Sequence, residues 1–402
     1  MKRRGLSNLH SPLLNGEENR NRGQQEESGP VASAIRSFFS RFDLMQILPM
    51  LALVTVGILF IYGTGEQALY GAGLFWKRQL VYFLAGFVLW FFLIFFDYRW
   101  LGPGGAAFYP FALALLVLVL FTEARNGAHR WLEIGGISIQ PSEFAKLAVI
   151  LCVSWVLSFK RADINRPLWA LLVMVIAGIP FALVFLEPDF GTSLVLLPIT
   201  AAIAFAANLK IRYILILLAI VMVAVPISYR CMRPYQKERI HTFLDPERDP
   251  LNRGWNARQS EFAVGSGGIH GKGFMNGTHC MLGYLPKRVA NSDFIFPVIS
   301  EETGFIGSFS LLLLFGLLLF SILRTALLAP DAFGRYLCVG IGTLIAVHTV
   351  INIGMCIRLV PITGLPLPLI SYGGTFLVTN MIYLGIVQSV YAHRSRESFL
   401  EV

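Results

Sequence analysis

Stretches of about twenty apolar residues, separated by short polar segments, recur along most of the chain. A helix needs about 20 such residues to cross the hydrocarbon core of a bilayer. Ten stretches approach that length, at residues 44–64, 78–97, 103–122, 142–159, 167–186, 190–207, 211–229, 294–324, 334–357 and 373–392. The pattern predicts an all-α polytopic integral membrane protein with about ten transmembrane helices. One long polar loop, at about 230–293, separates spans seven and eight.

The composition agrees with this prediction. The mean hydropathy is +0.63 and only 14% of the residues are charged, whereas a soluble domain has nearer a quarter. Residues 1–43 are polar and poor in aliphatic side chains, so we expect a disordered cytoplasmic tail. Residues 44–402 form the predicted membrane domain.

The positions of Lys and Arg in the short loops predict the orientation. With the N-terminus inside, ten of these residues fall on the cytoplasmic side and five on the other, as the positive-inside rule requires. Both termini are therefore expected in the cytoplasm and the long loop outside, since long loops cross regardless of charge. No basic stripe is interleaved with aromatics on the inner side, so no nucleic-acid partner is expected.

Glu143 and Lys146 are charged residues near the start of an apolar stretch. Pro141 suits the first position of a helix, and the helix dipole favours an acid such as Glu143 in the first turn. Lys146 lies one turn deeper, where a charge is costly and by default indicates function. At spacing i, i+3 the two can pair on one face. Both a functional polar cavity and a purely structural ion pair remain open.

Asp293 closes the long loop and directly precedes an apolar span. The loop from Arg230 to Asp293 contains ten Lys/Arg and six Asp/Glu residues, which suits an anionic substrate beside the bilayer. Glu301 and Glu302 follow within the same span and are weaker site candidates. The alternative is that Ser292 or Asp293 only caps the helix.

Two further segments have unusual compositions. Gly265–Gly273 is Gly-rich but fails the nucleotide-binding P-loop pattern at Ser266 and Gly273. It could still cradle a phosphate on its N–H groups or be a plain flexible turn. Val360–Gly374 is too apolar for a solvated loop and too rich in Pro and Gly for a helix. Because irregular backbone at membrane depth must be buried in protein or line a cavity, we expect it to fold back toward the site.

Six segments resemble, in the same order, the motifs of the SEDS (shape, elongation, division, sporulation) family of bacterial peptidoglycan glycosyltransferases. They are Arg130–Trp131, Gln140–Lys146, Pro188–Ser193, Gly265–Gly268, Asn291–Phe296 and Pro361–Gly374. The resemblance runs from about residue 44 to the C-terminus. This chain departs from the usual pattern at Arg358, where relatives usually have glycine, and at Thr375, where Ser is common.

The resemblance implies a function. The chain is expected to polymerise lipid II into β-1,4 glycan strands, with inversion, on the outer face of the bacterial cytoplasmic membrane. The elongation type is expected over the division type. Expected partners are lipid II, the growing lipid-linked glycan, a class B penicillin-binding protein (a transpeptidase) and other elongation-complex proteins. Alternatives are a flippase for the same lipid and a non-catalytic scaffold.

The same resemblance implies the site residues. Asp293 is the expected catalytic base. The candidate substrate-binding residues are Arg130, Glu143, Lys146, Asp189, Ser266, Gly267, Gly268, Lys272, Ser371 and Gly373. No cofactor is certain; a divalent cation, Mg²⁺ or Mn²⁺, could assist, and its ligands are unknown from the sequence.

Overall fold

The computed structural model describes residues 40–66, 74–122, 130–135, 137–213, 215, 219, 237, 241–243, 245, 253–285 and 287–394. Residues 43–402 form one compact unit. Of the remaining unit, residues 1–42, only 40–42 are described, so the tail predicted at 1–43 lies almost wholly outside the described residues.

Helices dominate the described residues, as the apolar pattern predicts. They are α1 (Leu44–Glu66), α2 (Phe75–Phe95), α3 (Leu101–Val119), α4 (Pro141–Leu157), α5 (Pro167–Leu186), α6 (Phe190–Ala206), α7 (Arg253–Ser266), α8 (Thr278–Met281), α9 (Lys287–Ala290), α10 (Ile295–Leu328), α11 (Ala332–Cys356) and α12 (Gly374–Ala392). A short 3₁₀ turn, Tyr98–Trp100, precedes α3. Strands β1 (Leu132–Ile134) and β2 (Ile137–Ile139) form an antiparallel hairpin that pairs Leu132 with Ile139.

Nine of the ten predicted spans are confirmed as helices within a few residues of their predicted bounds. The predicted span at 211–229 lies almost entirely outside the described residues. Among the described helices, seven are long and apolar enough to cross a bilayer, and α6 is apolar but shorter. The prediction of a polytopic all-α membrane protein is therefore confirmed, with the small hairpin as an addition.

The helices differ in how much of their surface lies inside the protein. The apolar window of α12 is 78% buried, whereas those of α2 and α5 are 22% buried. Nearly all of α4 is buried too. Helix α12 packs on α2 and α4, and α11 packs on α4, α6 and α10. The core of the bundle is therefore built around α4, α11 and α12, and the charged side chains of α4, Glu143 and Lys146, face protein.

Helix α10 is 34 residues long and contains a break at Gly304, whose φ of 68° and ψ of −160° are not helical. After α11 the chain has no regular structure until Gly373, and we call residues 361–373 the re-entrant segment. Its residues Leu365, Leu367, Leu369, Ile370 and Ser371 are buried. The prediction that this irregular backbone folds back into the protein is confirmed.

Candidate active site

Glu143 and Lys146 form an ion pair inside the helix bundle. Lys146 Nζ lies 2.8 Å from Glu143 Oε1, and neither residue is more than 2% exposed. Tyr383 donates from its hydroxyl to the carbonyl of Glu143 at 3.0 Å. The pairing predicted from the i, i+3 spacing is therefore present. Removing either partner would leave an uncompensated charge in a low-dielectric interior.

His348 on α11 completes this cluster, and the sequence analysis did not single it out. Its Nε2 lies 3.0 Å from Lys146 Nζ, and its Nδ1 lies 3.3 Å from the carbonyl oxygen of Pro366. Because an ammonium can only donate, the neutral ring with its proton on Nδ1 satisfies both contacts. His348 thus connects the buried ion pair to the re-entrant segment.

Asn352 lies one turn after His348 and holds the same segment to Asp293. Its Nδ2 donates to the carbonyl of Leu365 at 2.7 Å and to the carbonyl of Asp293 at 2.9 Å. The two residues are four apart on α11 and therefore share a helix face. One face of α11 thus fixes both the Lys146 side and the Asp293 side of the re-entrant segment.

Asp293 is half-buried at the start of α10. The N-cap position of α10 is Phe294, with no side-chain cap, so the structure does not support the alternative that Ser292 or Asp293 is the cap. A Cβ added to Gly364, which has a φ of 77°, would lie 3.4 Å from Asp293 Oδ2. The carboxylate therefore lies against the backbone of the re-entrant segment, where a glycine leaves room for it.

Ser371 and Gly373 anchor the end of the re-entrant segment. The hydroxyl of Ser371 donates to the carbonyl of Ser292 at 2.5 Å and accepts from the N–H of Leu367 at 2.8 Å. The N–H of Gly373 donates to Gln79 Oε1 at 3.3 Å. Ser371 therefore binds the residue that directly precedes Asp293. Both residues hold the segment in place.

Arg130 and Asp189 meet at the beginning of α6. Arg130 Nε lies 3.6 Å from Asp189 Oδ2, and Arg130 Nη2 donates to the carbonyl of Pro188 at 2.8 Å. Asp189 also caps α6, accepting from the N–H of Thr192 at 3.4 Å, and it accepts from the hydroxyl of Thr192 at 2.8 Å. This pair therefore joins the β-hairpin side of the molecule to the N-terminus of α6.

The same helix N-terminus contacts the re-entrant segment. A Cβ added to Gly191 would lie 3.0 Å from the carbonyl oxygen of Thr363. Residues 363–366 thus contact the N-terminus of α6 two residues from Asp189, and they contact the Asp293 carboxylate. Through His348 they are also connected to the Glu143–Lys146 pair. The structure brings these residues around one short stretch of irregular backbone.

Glu187, in the turn between α5 and α6, is a buried acid that the sequence analysis did not single out as a site residue. It is 1% exposed, and its Oε1 has no hydrogen-bond partner among the described residues. Burial, together with the nearby charge of Asp189, raises the pKa of Glu187 from 4.5 to about 8, against the opposing effect of Arg130. The side chain is therefore mostly protonated at neutral pH.

The Gly-rich turn that follows α7 packs on the break in α10. The N–H groups of Lys272 and Gly273 donate to the carbonyls of Glu301 and Glu302 at 3.0 Å and 2.9 Å, and that of Gly271 donates to Gly267 at 2.8 Å. In return the N–H of Phe305 donates to the carbonyl of Gly268 at 2.8 Å. These N–H groups are used within the protein, which supports a packing role over either a phosphate cradle or a plain flexible turn.

The glycines of this turn permit the close approach. A Cβ at Gly267 would overlap the carbonyl oxygen of Ser300, and one at Gly271 would overlap that of Glu302. Ser266 ends α7, and its hydroxyl donates to the carbonyl of Ala263 at 3.0 Å. Backbone contact with α10 thus explains Gly267 and Gly271, whereas a Cβ at Gly265 or Gly268 would meet no atom within 4 Å.

Lys272 is paired with a carboxylate in this structure. Its Nζ lies 2.6 Å from Glu301 Oε1, which also accepts from the hydroxyl of Thr278 at 2.9 Å. His279 Nδ1 lies 2.9 Å from the same oxygen. Glu301, a weaker candidate from sequence, is therefore the centre of a second charged cluster, outside the group around the re-entrant segment.

Cation ligands were left open by the sequence. Among the described residues, no group of three or more His, Cys, Asp or Glu side chains is placed to hold a metal ion. Glu143, Asp189 and Glu301 each have a cationic partner instead. The described residues thus do not form a ready-made cation site, and the divalent cation remains a prediction.

Comparison with known proteins places this arrangement in a family. The family model for FtsW, RodA and SpoVE, described as a cell cycle protein, matches residues 41–396. The chain belongs to that family. This is the SEDS family to which the six sequence motifs point, and the match covers every described element.

Individual members of the family are similar along most of the chain. The peptidoglycan glycosyltransferase MrdB of Escherichia coli is 36% identical over 296 residues, which cover 72% of this chain and 79% of MrdB. The peptidoglycan glycosyltransferase RodA of Treponema pallidum is 32% identical and covers 88% of this chain and 98% of its own length. Stage V sporulation protein E of Bacillus subtilis is 35% identical, with 87% and 96% covered.

Solved structures of the family have the same fold. A chain of a peptidoglycan synthase complex that coordinates polymerization and crosslinking superposes with a TM-score of 0.75 at 30% identity, covering 88% of this chain and 99% of that one. The rod shape determining protein RodA of Thermus thermophilus gives a TM-score of 0.66 at 27% identity, with 88% and 98% covered. The helical membrane architecture of this family member is thus shared with solved relatives.

Proposed function

We propose that this chain is a peptidoglycan glycosyltransferase of the elongation type, residues 44–402 being its catalytic membrane domain. It polymerises lipid II into β-1,4 glycan strands on the outer face of the bacterial cytoplasmic membrane. Support comes from relatives named peptidoglycan glycosyltransferase at 36% and 32% identity. Membership of the rod-shape branch is supported by the likeness to RodA structures.

One observation carries the proposal. The half-buried Asp293 lies at the re-entrant segment, whose other neighbours are a buried lysine–glutamate pair and an arginine–aspartate pair. A site at the end of a helix bundle suits substrates whose polyprenyl chains must stay in lipid while their sugars are in water. The donor's pyrophosphate requires nearby cations.

In the proposed reaction the 4-hydroxyl of the acceptor attacks the anomeric carbon of the growing chain. Asp293 accepts the hydroxyl proton, the new C–O bond forms, and the bond to the lipid pyrophosphate breaks with both electrons going to the leaving oxygen. A single in-line displacement inverts an α-linked donor to a β-1,4 product. Pyrophosphate leaves without protonation, so one carboxylate base suffices. Arg130 and Lys146 are the proposed phosphate contacts, and Lys146 is the more enclosed of the two. Lys272, the third candidate from the sequence, belongs to the separate cluster at Glu301.

The test of the proposed base is Asp293→Asn in the purified protein. The amide keeps the shape of the side chain but cannot take a proton, a role that contributes roughly 10²- to 10⁴-fold to rate. We expect glycan synthesis from lipid II to be lost while yield and unfolding temperature stay near those of the parent. Retention of more than about a tenth of the rate would exclude Asp293 as the base. Polymerisation by the purified parent protein also separates a polymerase from a flippase or a scaffold.

The partner is proposed to be a class B penicillin-binding protein, which crosslinks the strands that this chain makes. Support comes from the related chain in a complex that coordinates polymerization with crosslinking. Other elongation-complex proteins are proposed to bind as well.

The outer placement of the site is tested by cysteine labelling. In a background without Cys231 and Cys280, Ser266→Cys should react with a membrane-impermeant thiol reagent added to intact cells, because Ser266 ends α7 in the proposed outer loop. Ala329→Cys, between α10 and α11, should react only after the membrane is opened. The reverse pattern would place both termini outside and remove the outward-facing site.

A further inference from the structure

A groove on the outer surface of α7 is not used by the proposed reaction. Its cavity of about 670 Å³ is lined by Arg258, Glu261, Phe262, Gly265, Ser266, His279 and Arg358. The α7 residues at 258, 261, 262 and 265 follow helical spacing and so share one face, while Ala257, Ser260 and Ala263 on the opposite face are buried. The volume lies within the range typical of small-molecule sites.

The lining carries charges of both signs beside an aromatic wall. Arg358 Nη1 donates to Glu261 Oε2 at 2.7 Å, and Arg258 lies one turn before Glu261 on α7. Phe262 is 58% exposed. The side chains of Arg358 and Glu261 are 31% and 48% exposed. An exposed pair of this kind adds little stability, so an incoming carboxylate can compete for the guanidinium.

Arg358 occupies a backbone position that glycine adopts more easily. Its φ is 57°, in the left-handed region that disfavours residues with a Cβ. Arg358 therefore adds a charged side chain to the groove at a position where the backbone conformation favours glycine.

The groove is connected to Asp293 through the end of α11. The hydroxyl of Ser260 on α7 donates to the carbonyl of Cys356 at 2.7 Å, and Cys356 Sγ lies 3.7 Å from the carbonyl oxygen of Asp293. Arg358 follows Cys356 by two residues. The lining residue Arg358 thus lies two residues along the chain from a contact with the backbone of Asp293.

We propose that this groove binds the peptide part of the lipid-linked substrate through its free carboxylates, and that Arg358 determines specificity for the acid form of that peptide. The inference rests on the proposed function, because that function supplies a substrate that carries a peptide. A peptide fits the lining better than a pyrophosphate does. The carboxylates of a peptide can bind Arg358 and Arg258, its amino group can bind Glu261, and its apolar side chains can contact Phe262. A compact, multiply charged anion such as pyrophosphate would be repelled by Glu261.

The experiment measures binding of a soluble disaccharide-pentapeptide that lacks the lipid pyrophosphate, and so cannot act as a donor. Its acid form is compared with a form whose carboxylates are amidated, using calorimetry on the full-length protein in detergent. We expect the acid form to bind about fivefold to tenfold more tightly, as charge-assisted hydrogen bonds predict. Arg358→Gly should abolish that preference without loss of unfolding temperature, because glycine suits the backbone. Arg358→Lys should keep most of it.

A second variant tests the location independently. A Cβ at Gly265 meets no atom within 4 Å, so Gly265→Leu should fill the groove and weaken binding of both forms while the protein remains folded. Equal binding of the two forms by the parent protein, or a preference that survives Arg358→Gly, overturns the proposal. If neither form binds and Arg358→Gly instead weakens association with a transpeptidase, the groove is a protein interface and the peptide proposal is wrong.

The two proposals fail in different ways. If the acid form binds with an Arg358-dependent preference but the parent protein makes no glycan, the groove stands and the proposed polymerase falls. If glycan is made and the preference is absent, the polymerase stands and the groove proposal falls.

Discussion

The described residues contain a lysine–glutamate–histidine cluster inside the helix bundle and another beneath the Gly-rich turn. In the bundle, His348 faces the ammonium of Lys146 at 3.0 Å, and Glu143 lies on that ammonium at 2.8 Å. Beneath the turn, His279 faces the carboxylate of Glu301 at 2.9 Å, and Lys272 approaches the same oxygen at 2.6 Å. The lysine is thus the central residue of the cluster in the bundle, and the glutamate is the central residue of the cluster beneath the turn.

The difference lies in how many partners the buried carboxylate has. Glu301 accepts from a lysine, a histidine ring, the Thr278 hydroxyl and the N–H of His279, and Lys272 is 28% exposed. Glu143 has Lys146 as its cation and a longer contact to Thr379 at 3.5 Å. A carboxylate with several donors can lose one of them, whereas one that depends on a single cation cannot.

The largest expected effect comes from Lys146→Met. It leaves Glu143 buried without its cation, which should cost about 3–5 kcal/mol of unfolding free energy and abolish polymerisation. The double change Glu143→Gln with Lys146→Met should recover part of the stability but not the activity. The matched control, Lys272→Met, should cost less, because the buried Glu301 keeps the Thr278 hydroxyl, the His279 ring and the His279 N–H as donors. Thermal unfolding in detergent and glycan synthesis are measured for each; equal losses for the two lysines, or additive losses in the double-mutant cycle, would contradict the comparison.

A smaller loss is expected from Gly267→Ala, which tests the turn above the Glu301 cluster. The added Cβ would overlap the carbonyl oxygen of Ser300, and such overpacking costs about 1–3 kcal/mol. Gly265→Ala, two residues earlier, meets open space and should be neutral or slightly stabilising. A lower unfolding temperature is expected for the Gly267→Ala variant alone, and identical behaviour of the two variants would show that the turn does not pack on α10.

The smallest effect at neutral pH concerns Glu187, a buried acid for which the described residues show neither a lysine partner nor several donors. Its pKa is raised from 4.5 to about 8, so the folded protein holds a proton that the unfolded chain has released. Its contribution to stability is therefore fully present below pH 4.5 and is lost as the pH rises toward 8. Glu187→Gln, which stays neutral, should flatten the fall in unfolding temperature across that range. An unchanged slope would place the titrating group elsewhere.

The helices were predictable because apolar runs of spanning length are required of any bilayer-crossing helix. The break at Gly304 was not, because a glycine inside an apolar run reads as an ordinary helical residue. The short hairpin from Leu132 to Ile139 was also missed, since three-residue strands give too little alternation to detect.

The site residues that could be predicted are the charged ones that lie within or beside an apolar stretch. Glu143, Lys146 and Asp293 stand out because charges are rare in apolar spans, and the i, i+3 spacing already indicated the ion pair. His348 and Asn352 were missed because single polar residues in an amphipathic-looking helix have ordinary structural explanations. The contacts of Lys272 were missed because Glu301 lies 29 residues away in sequence, and no local spacing connects them.

The break in α10 has a consequence for how this chain is inserted in lipid. At 34 residues an unbroken helix would be roughly 51 Å long, far more than a hydrocarbon core of about 30 Å. The part after Gly304 alone is roughly 36 Å long, and its exposed Phe305, Phe309 and Phe320 suit contact with acyl chains. The part before it, which carries Glu301 and Glu302, is buried in protein. The hydropathy pattern predicts one acidic span, but the structure has a helix of membrane-crossing length after Gly304 and a shorter, protein-enclosed segment before it. Because Glu301 and Glu302 lie in that enclosed segment, they are not transferred into lipid.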